Sequence, residues 1–300
     1  MIFAFISALC FSLYFTLIKR GLIEYNPGST LVVQLITTPS SLVAFMIIAA
    51  TAALTGNNIF VEFKALTTTA YLLLISEGLL GPLLGMYFTN MAIKNIGAAP
   101  ASALRGTNPL FATFLSVLIL HEQPEPYKLV ALVFMVAGII LVSYRGRIDK
   151  NNRKIICQGI AYAILAAVTF SLSQVVRGVS LSYGATPNTA ISISLLTAVC
   201  SILLIIYIKE GSVKKYADIC KTKALHYYLL AGVCLLAATY SLILSFTIIP
   251  VWLAVAVRNT QPLFSILTGW IFLRKLEPID AKFVVGASLI VIGIWIISMP

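Results

Sequence analysis

Two stretches of this chain carry residue types from which an anion site can be built: Arg105-Gly106-Thr107-Asn108-Pro109 and Arg258-Asn259-Thr260-Gln261-Pro262. In each, an arginine stands three residues before an amide and four before a proline, inside an apolar run long enough to cross a bilayer. A guanidinium presents its N–H donors as a rigid fork, which suits a carboxylate or a phosphate. Arg105 lies about eight residues into its apolar run, roughly 12 Å at 1.5 Å per residue, so it cannot escape to water at a helix end. Holding such a charge mid-bilayer costs about 2.5–3.5 kcal/mol on insertion scales, and it must face protein or a watery cavity. Residues three apart share a helix face, which groups Ser102, Arg105 and Asn108 in one stripe and Arg258 with Gln261 in the other. The plainer alternative is that each guanidinium pairs with carbonyls freed by Pro109 and Pro262, since proline removes a backbone donor.

Glu77, in YLLLISEGLLGP, is the only acid deep in an apolar run. It reads either as a proton-coupling site, poised between burial and a neighbouring arginine, or as a fixed ion-pair partner of Arg105 or Arg258. Two arginines against one glutamate leave a positively charged site in both cases.

The elements that must position these residues follow from composition. With 60% hydrophobic and 10% charged residues over 300 positions, and a mean hydropathy of +0.98, the chain cannot keep its apolar surface from water in one globule. It reads as an all-α membrane protein whose partner is the lipid bilayer. Spans long enough for a hydrocarbon core of about 30 Å are expected at 2–19, 30–54, 70–94, 97–120, 127–144, 155–176, 188–208, 225–246, 249–273 and 280–299. The first is expected to stay in the protein, because it has neither the basic flank nor the small-residue cleavage site of a signal peptide. The spans are about twice the length of a barrel strand and lack strict alternation, so helices satisfy the backbone.

The net charge of +11 is informative through its placement, and in this setting it does not point to nucleic acid. Loops after the odd-numbered spans hold 16 Lys and Arg; the opposite side holds Lys64, Lys128 and Arg177. The positive-inside rule then puts 145–154 and 209–223 in the cytoplasm and both termini outside, in a cell (inner or plasma) membrane.

Placing Ala101 on Ala254 brings the two arginine stretches into register, with seven identities in eleven residues. A slightly wider offset lays Gly138 on Gly293 and Ala131 on Gly286, and Arg20-Gly21 answers Arg177-Gly178. A five-helix unit thus occurs twice, over 1–146 and 155–300, joined by a basic linker at 147–154. Because five is odd, the second copy enters the membrane inverted, the plan by which secondary transporters build a midplane site from equivalent helices of both halves.

The order and lengths of these elements, with GLLGPLLGMYF in the third span, NPLFATFLSVLILHE in the fourth and VAGIILVS closing the fifth, resemble the EamA family of the drug/metabolite transporter superfamily. Glu122 occupies that family's usual glutamate position after the fourth helix, and Glu277 does so in the second copy with a two-residue insertion. The resemblance implies transport, outward and driven by protons or by the substrate's own gradient. It implies cytoplasmic termini, opposite to the loop charges. It offers no counterpart for Arg105 and Arg258.

Gly78, Gly81, Pro82 and Gly85 break up the third span. Small residues favour close helix packing, and Gly81-Pro82 is the alternative, a hinge for alternating access. Tyr14, Tyr87, its repeat counterpart Tyr240, Trp252 and Trp270 could pack, anchor at the interface or line a cavity. His121 and His226 lack further ligands nearby, and the five cysteines show no CxxC spacing, so no metal site and no disulfide framework are expected. No GxxxxGK[ST] loop is present and no acid–base constellation appears, so neither an ATP-driven pump nor an enzyme is expected, and no cofactor. The first span lacks the acid by which small multidrug exporters hold cations. The residues therefore point to a small anionic or zwitterionic substrate, such as an amino acid, bound by Arg105, Asn108, Arg258, Gln261, Ser102, Tyr87 and Tyr240, with protons as candidate coupled ion. A flippase for a phosphate-bearing lipid carrier, or a scaffold without transport, are the alternatives.

Overall fold

The computed structural model describes residues 1–25, 29–54, 59–97, 101, 104–121, 125–143, 153–210, 219, 222–261, 263–264, 267–268, 285–286, 288–289, 292–293 and 296. These are helical and contain no strand. In order they form α1 (Ile2–Glu24), α2 (Thr30–Leu54), α3 (Ile59–Lys64), α4 (Thr68–Gly78), a π-helix (Leu79–Gly85), α5 (Met86–Ile96), α6 (Asn108–Ile119), α7 (Pro126–Ser143), α8 (Arg153–Ser182), α9 (Pro187–Glu210), α10 (Ala224–Phe246) and α11 (Val251–Arg258). Six stretches are long and apolar enough to cross a membrane: 2–24, 30–51, 68–96, 154–182, 187–208 and 224–246. Shorter apolar helices cover 108–119 and 129–138. In hydrocarbon no water satisfies the backbone, so these apolar segments close their hydrogen bonds within the helix.

Several boundaries differ from the sequence expectation, for identifiable reasons. α8 runs to Ser182, so Arg177, expected in a loop, is buried within it. A cation ends a span only when nothing neutralises it, and here Glu77 does. The helix stops instead at Gly184, whose φ of 86° takes the left-handed turn while Ala185 N–H donates to Ser180 O at 3.1 Å, a helix ending that favours glycine. α9 then starts at Pro187, where Thr186 and Thr189 cap each other: Thr186 N–H donates to Thr189 Oγ1 at 2.9 Å and Thr189 N–H returns to Thr186 Oγ1 at 3.3 Å. The span expected at 97–120 is interrupted, helical at 104–105, turned at 106–107 and helical again from 108. The span expected at 249–273 is interrupted in the same way after Arg258.

The two halves of the chain interlock. α1 lies against α10, while α4, the π-helix and α5 lie against α8; α2 meets α10 as α4 meets α9; α6 packs on α8 and α11 on α1. Small residues set the closest crossings. Gly78 faces Ser194 O on α9, and Gly232 faces Thr37 O on α2, leaving no room for a Cβ at either position. Ser41 Oγ on α2 donates to Gly232 O at 2.6 Å and Ser40 Oγ to Leu229 O at 2.8 Å. Interhelical bonds of this kind supplement dispersion where lipid removes the hydrophobic drive. Gly293 meets Ala131 and Met135 of α7, so small residues stand at that crossing too.

Candidate functional site

Both arginines stand where their helices break, and the breaks share one geometry. Thr107 N–H donates to Leu104 O at 3.2 Å and Thr260 N–H to Val257 O at 3.1 Å. Their hydroxyls reach the same carbonyls at 2.8 and 2.9 Å. Leu110 N–H donates to Thr107 O at 3.1 Å and Leu263 N–H to Thr260 O at 3.0 Å. At the first break Pro109 donates nothing to the carbonyl four residues earlier and crowds it, so the chain tightens into a turn before resuming. Every one of these pairs is separated by 153 residues, the register in which the sequence repeats.

Arg105 is 2% exposed. Its guanidinium carbon lies 4.5 Å from the ring centre of Phe11 and 5.5 Å from that of Phe15, both on α1, and 4.4 Å from that of Phe170 on α8, so three aromatic rings meet the cation. Its NH1 donates to Gln261 Oε1 at 3.5 Å, while Nε and NH2 have no hydrogen-bond partner among the described residues. Arg258 shares the Phe11 ring, at 4.2 Å, and stands 6.0 Å from Phe170. Its Nε is likewise unpartnered, and its side chain faces a cavity of about 40 Å³. Among the described residues neither guanidinium has an ion pair or donates to a backbone carbonyl.

The cavity is bounded by α1, α4, the π-helix, α8, α9, α10 and α11, through Phe11, Glu77, Pro82, Phe170, Ser194, Thr239 and Arg258 among others. Glu77 pairs with Arg177, not with Arg105 or Arg258. Its Oε1 also accepts from Ser173 at 2.8 Å, and its Oε2 makes no hydrogen bond among the described residues. Across the cavity wall the π-helix contains Pro82, and Gln34 Nε2 donates to the carbonyls of Pro82 at 3.2 Å and Leu83 at 2.9 Å. Gly81 faces Ser173 and Glu77. π-bulges are uncommon and cluster at functional sites. A volume of this size holds about three waters, so a metabolite requires the walls to part.

The other expected residues are placed as follows. Asn108 is buried at the start of α6, where Ser171 Oγ donates to its Oδ1 at 2.5 Å and to its backbone O at 3.1 Å. Gln261 is the acceptor for Arg105. Ser102 lies outside the described residues, as do Trp270, Glu122, Glu277 and Pro262. Tyr87 packs edge-on against Phe88 at 5.7 Å, and Tyr240 OH donates to Asn188 Oδ1 at 3.1 Å; neither lines the cavity. Tyr14 donates to Asn90 Oδ1 at 3.0 Å within the core, and Trp252 is buried in an apolar cluster with Ala4 and Leu132.

Sequence reasoning missed Phe11, Phe170, Ser173, Gln174 and the role of Arg177. Four of them lay in plain view: Phe170, Ser173, Gln174 and Arg177 stand at i, i+3, i+4 and i+7 on α8, the spacing of one helix face. All four line the cavity.

Comparison with known proteins bears on this geometry. A 60-residue segment is 33% identical to the phosphoenolpyruvate/phosphate translocator 1 of Oryza sativa subsp. japonica chloroplasts, and 35% to that of Arabidopsis thaliana; it covers 20% of this chain and 15% of each relative. An uncharacterized transporter of Clostridium kluyveri is 30% identical over 152 residues, 51% of this chain and 46% of that protein. The chain therefore spans less than half the length of these curated relatives. A solved crystal structure superposes with a TM-score of 0.70 over 98% of this chain and 96% of its own, at 16% identity, a likeness of fold. The profile of the EamA-like transporter family matches residues 1–144 and again 158–299, and the chain belongs to that family of membrane transporters.

Proposed function

We propose that this transporter moves a small anionic or zwitterionic metabolite, an amino acid or a carboxylate or phosphate ester, by alternating access across ten helices arranged as two inverted repeats, 1–146 and 155–300. The observation that carries the proposal is Arg258: a buried cation at a helix break, facing a cavity, with no ion pair among the described residues. The ion pair with Glu77 satisfies Arg177 instead, so the cavity keeps a net positive charge. Broken helices at the midplane are where transporters place substrate-binding ends. The double family match, the crossings between halves and the identical turns at 104–107 and 257–260 support the repeat. The names of the plant relatives, which specify phosphoenolpyruvate and phosphate, support an anionic cargo.

In this reading Gly81-Pro82, on the π-helix held by Gln34, is the hinge whose movement opens the cavity. The free oxygen of Glu77 receives the ammonium of a zwitterion or a coupled proton. With Arg177 inside α8, Lys64 and Lys128 are left as the basic residues of the opposite side, a charge bias that supports a cytoplasmic position for 145–154 and 209–223. The soluble cargo is favoured over a lipid carrier because an open apolar groove between α2 and α10, of the kind a lipid tail would occupy, lies apart from the arginines and is lined by no Arg, Lys, Asp or Glu.

The test is counterflow in proteoliposomes loaded with phosphate, phosphoenolpyruvate, single amino acids or a tetraalkylammonium ion. Accumulation of anions or zwitterions, lost in Arg258→Gln, is expected. Movement of the cation alone, or anion movement indifferent to Arg258→Gln, overturns the proposal.

A further inference from the structure

Of the four α8 side chains that face the cavity, three are engaged within the protein. Phe170 stacks on Arg105, and Ser173 and Arg177 both hold Glu77 Oε1. The fourth, Gln174, is 2% exposed, and its amide oxygen and nitrogen both lack a hydrogen-bond partner among the described residues. Buried amides nearly always find partners, because leaving them unmade forfeits the bonds that water would supply. An orphaned amide aimed into a cavity is thus shaped for something that enters it.

We infer that Gln174 is a specificity-determining residue that reads a neutral hydrogen-bonding group on the cargo, a carboxamide or a hydroxyl, while Arg258 holds its ionised group. This rests on the transport reading above and deepens it: the cargo is an acid that also carries an uncharged donor or acceptor. Geometry separates the two duties. The amide of Gln174 supplies one acceptor and two donors without charge, so it cannot substitute for the guanidinium, and it can bond a carboxamide in both directions at once. Ser194 and Thr239 line the same cavity, but Ser194 Oγ is committed to Ala190 O at 2.7 Å. A site built around an unpaired polar group discriminates strongly against an analogue that leaves it unpaired, whereas an apolar wall tolerates both.

Matched pairs of equal charge test this in purified detergent-solubilised protein, read as ligand-dependent shifts of Tm titrated to apparent Kd: malate against succinate, asparagine against 2-aminobutyrate, and serine against alanine. In the wild type, the hydrogen-bonding member of at least one pair is expected to bind 10-fold or more tightly. Gln174→Leu is expected to bring that pair within 3-fold by weakening only the hydrogen-bonding member. Unliganded Tm should hold or rise, because the variant removes an unpaired buried amide. A preference that survives in Gln174→Leu, or a wild type indifferent within every pair, overturns the inference while leaving the anion site intact. A lowered unliganded Tm shows that Gln174 serves a partner inside the protein and also overturns it. No shift with any of the six probes, in wild type or in Arg258→Gln, removes the anion site and this inference with it.

Discussion

The break at Arg105 and the break at Arg258 have the same backbone and different surroundings. Their turns repeat bond for bond, yet Arg105 is clamped between Phe11 and Phe170 and reaches Gln261, while Arg258 touches one face of Phe11 and looks into the cavity. The residue following each arginine differs as well. Gly106 adds nothing, whereas Asn259 Nδ2 donates to Val255 O at 2.7 Å and ties its own turn down. Two arginines at matching turns are therefore set in different surroundings by the neighbouring helices α1 and α8, one among aromatic rings and the other at the cavity.

The largest effect should separate them outright. Arg258→Gln is expected to lower counterflow roughly 10- to 100-fold, the equivalent of a lost hydrogen bond to a charged group at about 1.5–3 kcal/mol. Its Tm should fall less than that of Arg105→Gln, since the contacts it loses are one with Phe11 and a longer one, at 6.0 Å, with Phe170. Arg105→Gln should do the reverse, keeping counterflow within a few-fold while losing three cation–π contacts, with Phe11, Phe15 and Phe170, worth about 0.5–2 kcal/mol each when desolvated. Measuring Tm and counterflow on both variants checks the contrast, and equal phenotypes would break it.

The ring shared by both arginines sharpens the comparison. Phe11 lies 4.5 Å from Arg105 and 4.2 Å from Arg258, whereas Phe170 is close to Arg105 alone. Phe11→Leu should therefore impair both cations, lowering Tm and raising the apparent Kd of phosphate about 3- to 10-fold, a shift of roughly 1 kcal/mol. Phe170→Leu should lower Tm with a smaller change in Kd. If Phe170→Leu weakens phosphate as much as Phe11→Leu does, Arg105 reaches the cargo and the division of labour is lost.

How much of this was readable in the sequence depends on the kind of interaction. The all-helical membrane character, the family and the likeness of 101–111 to 254–264 were legible, because hydropathy and self-similarity are properties of the chain itself. The partner of Glu77 was not. Arg177 looked like a span end because charge is the usual mark of one, and only the crossing of α4 with α8 shows that an acid awaits it 100 positions away. Asymmetry between the arginines was equally hidden, since Phe11 and Phe170 are unremarkable aromatics in apolar spans until the helices that carry them are laid side by side. That Tyr87 and Tyr240 stand outside the cavity beside Arg258 was hidden for the converse reason. An aromatic in a span has many packing faces, and a repeat correspondence says nothing about which one is used. Gln174 was hidden despite a clean helical spacing, because an uncharged amide in an apolar span stands out less than a charge on the same face.

The smallest effect concerns what the two breaks have in common. Thr107 and Thr260 each place a hydroxyl on the carbonyl three residues back, at 2.8 and 2.9 Å, where the same residue's N–H already donates. Replacing either by valine keeps the β-branched shape and removes only the second donor, so the carbonyl is weakened and not orphaned. Thr107→Val and Thr260→Val should each cost about 0.5–1 kcal/mol, near the lower end for a single hydrogen bond. Thr260, which is 1% exposed, should show the larger value by a few tenths of a kcal/mol, because Thr107 is only partly buried and has water or lipid headgroups as a nearer alternative. Chemical denaturation or Tm measurement on the two single variants resolves such differences when run side by side. Near-equality would mean that the turns are the same structural device even though their arginines are not. A loss confined to one turn would mean that the resemblance between the breaks stops at geometry, and that one of them is held by its surroundings alone.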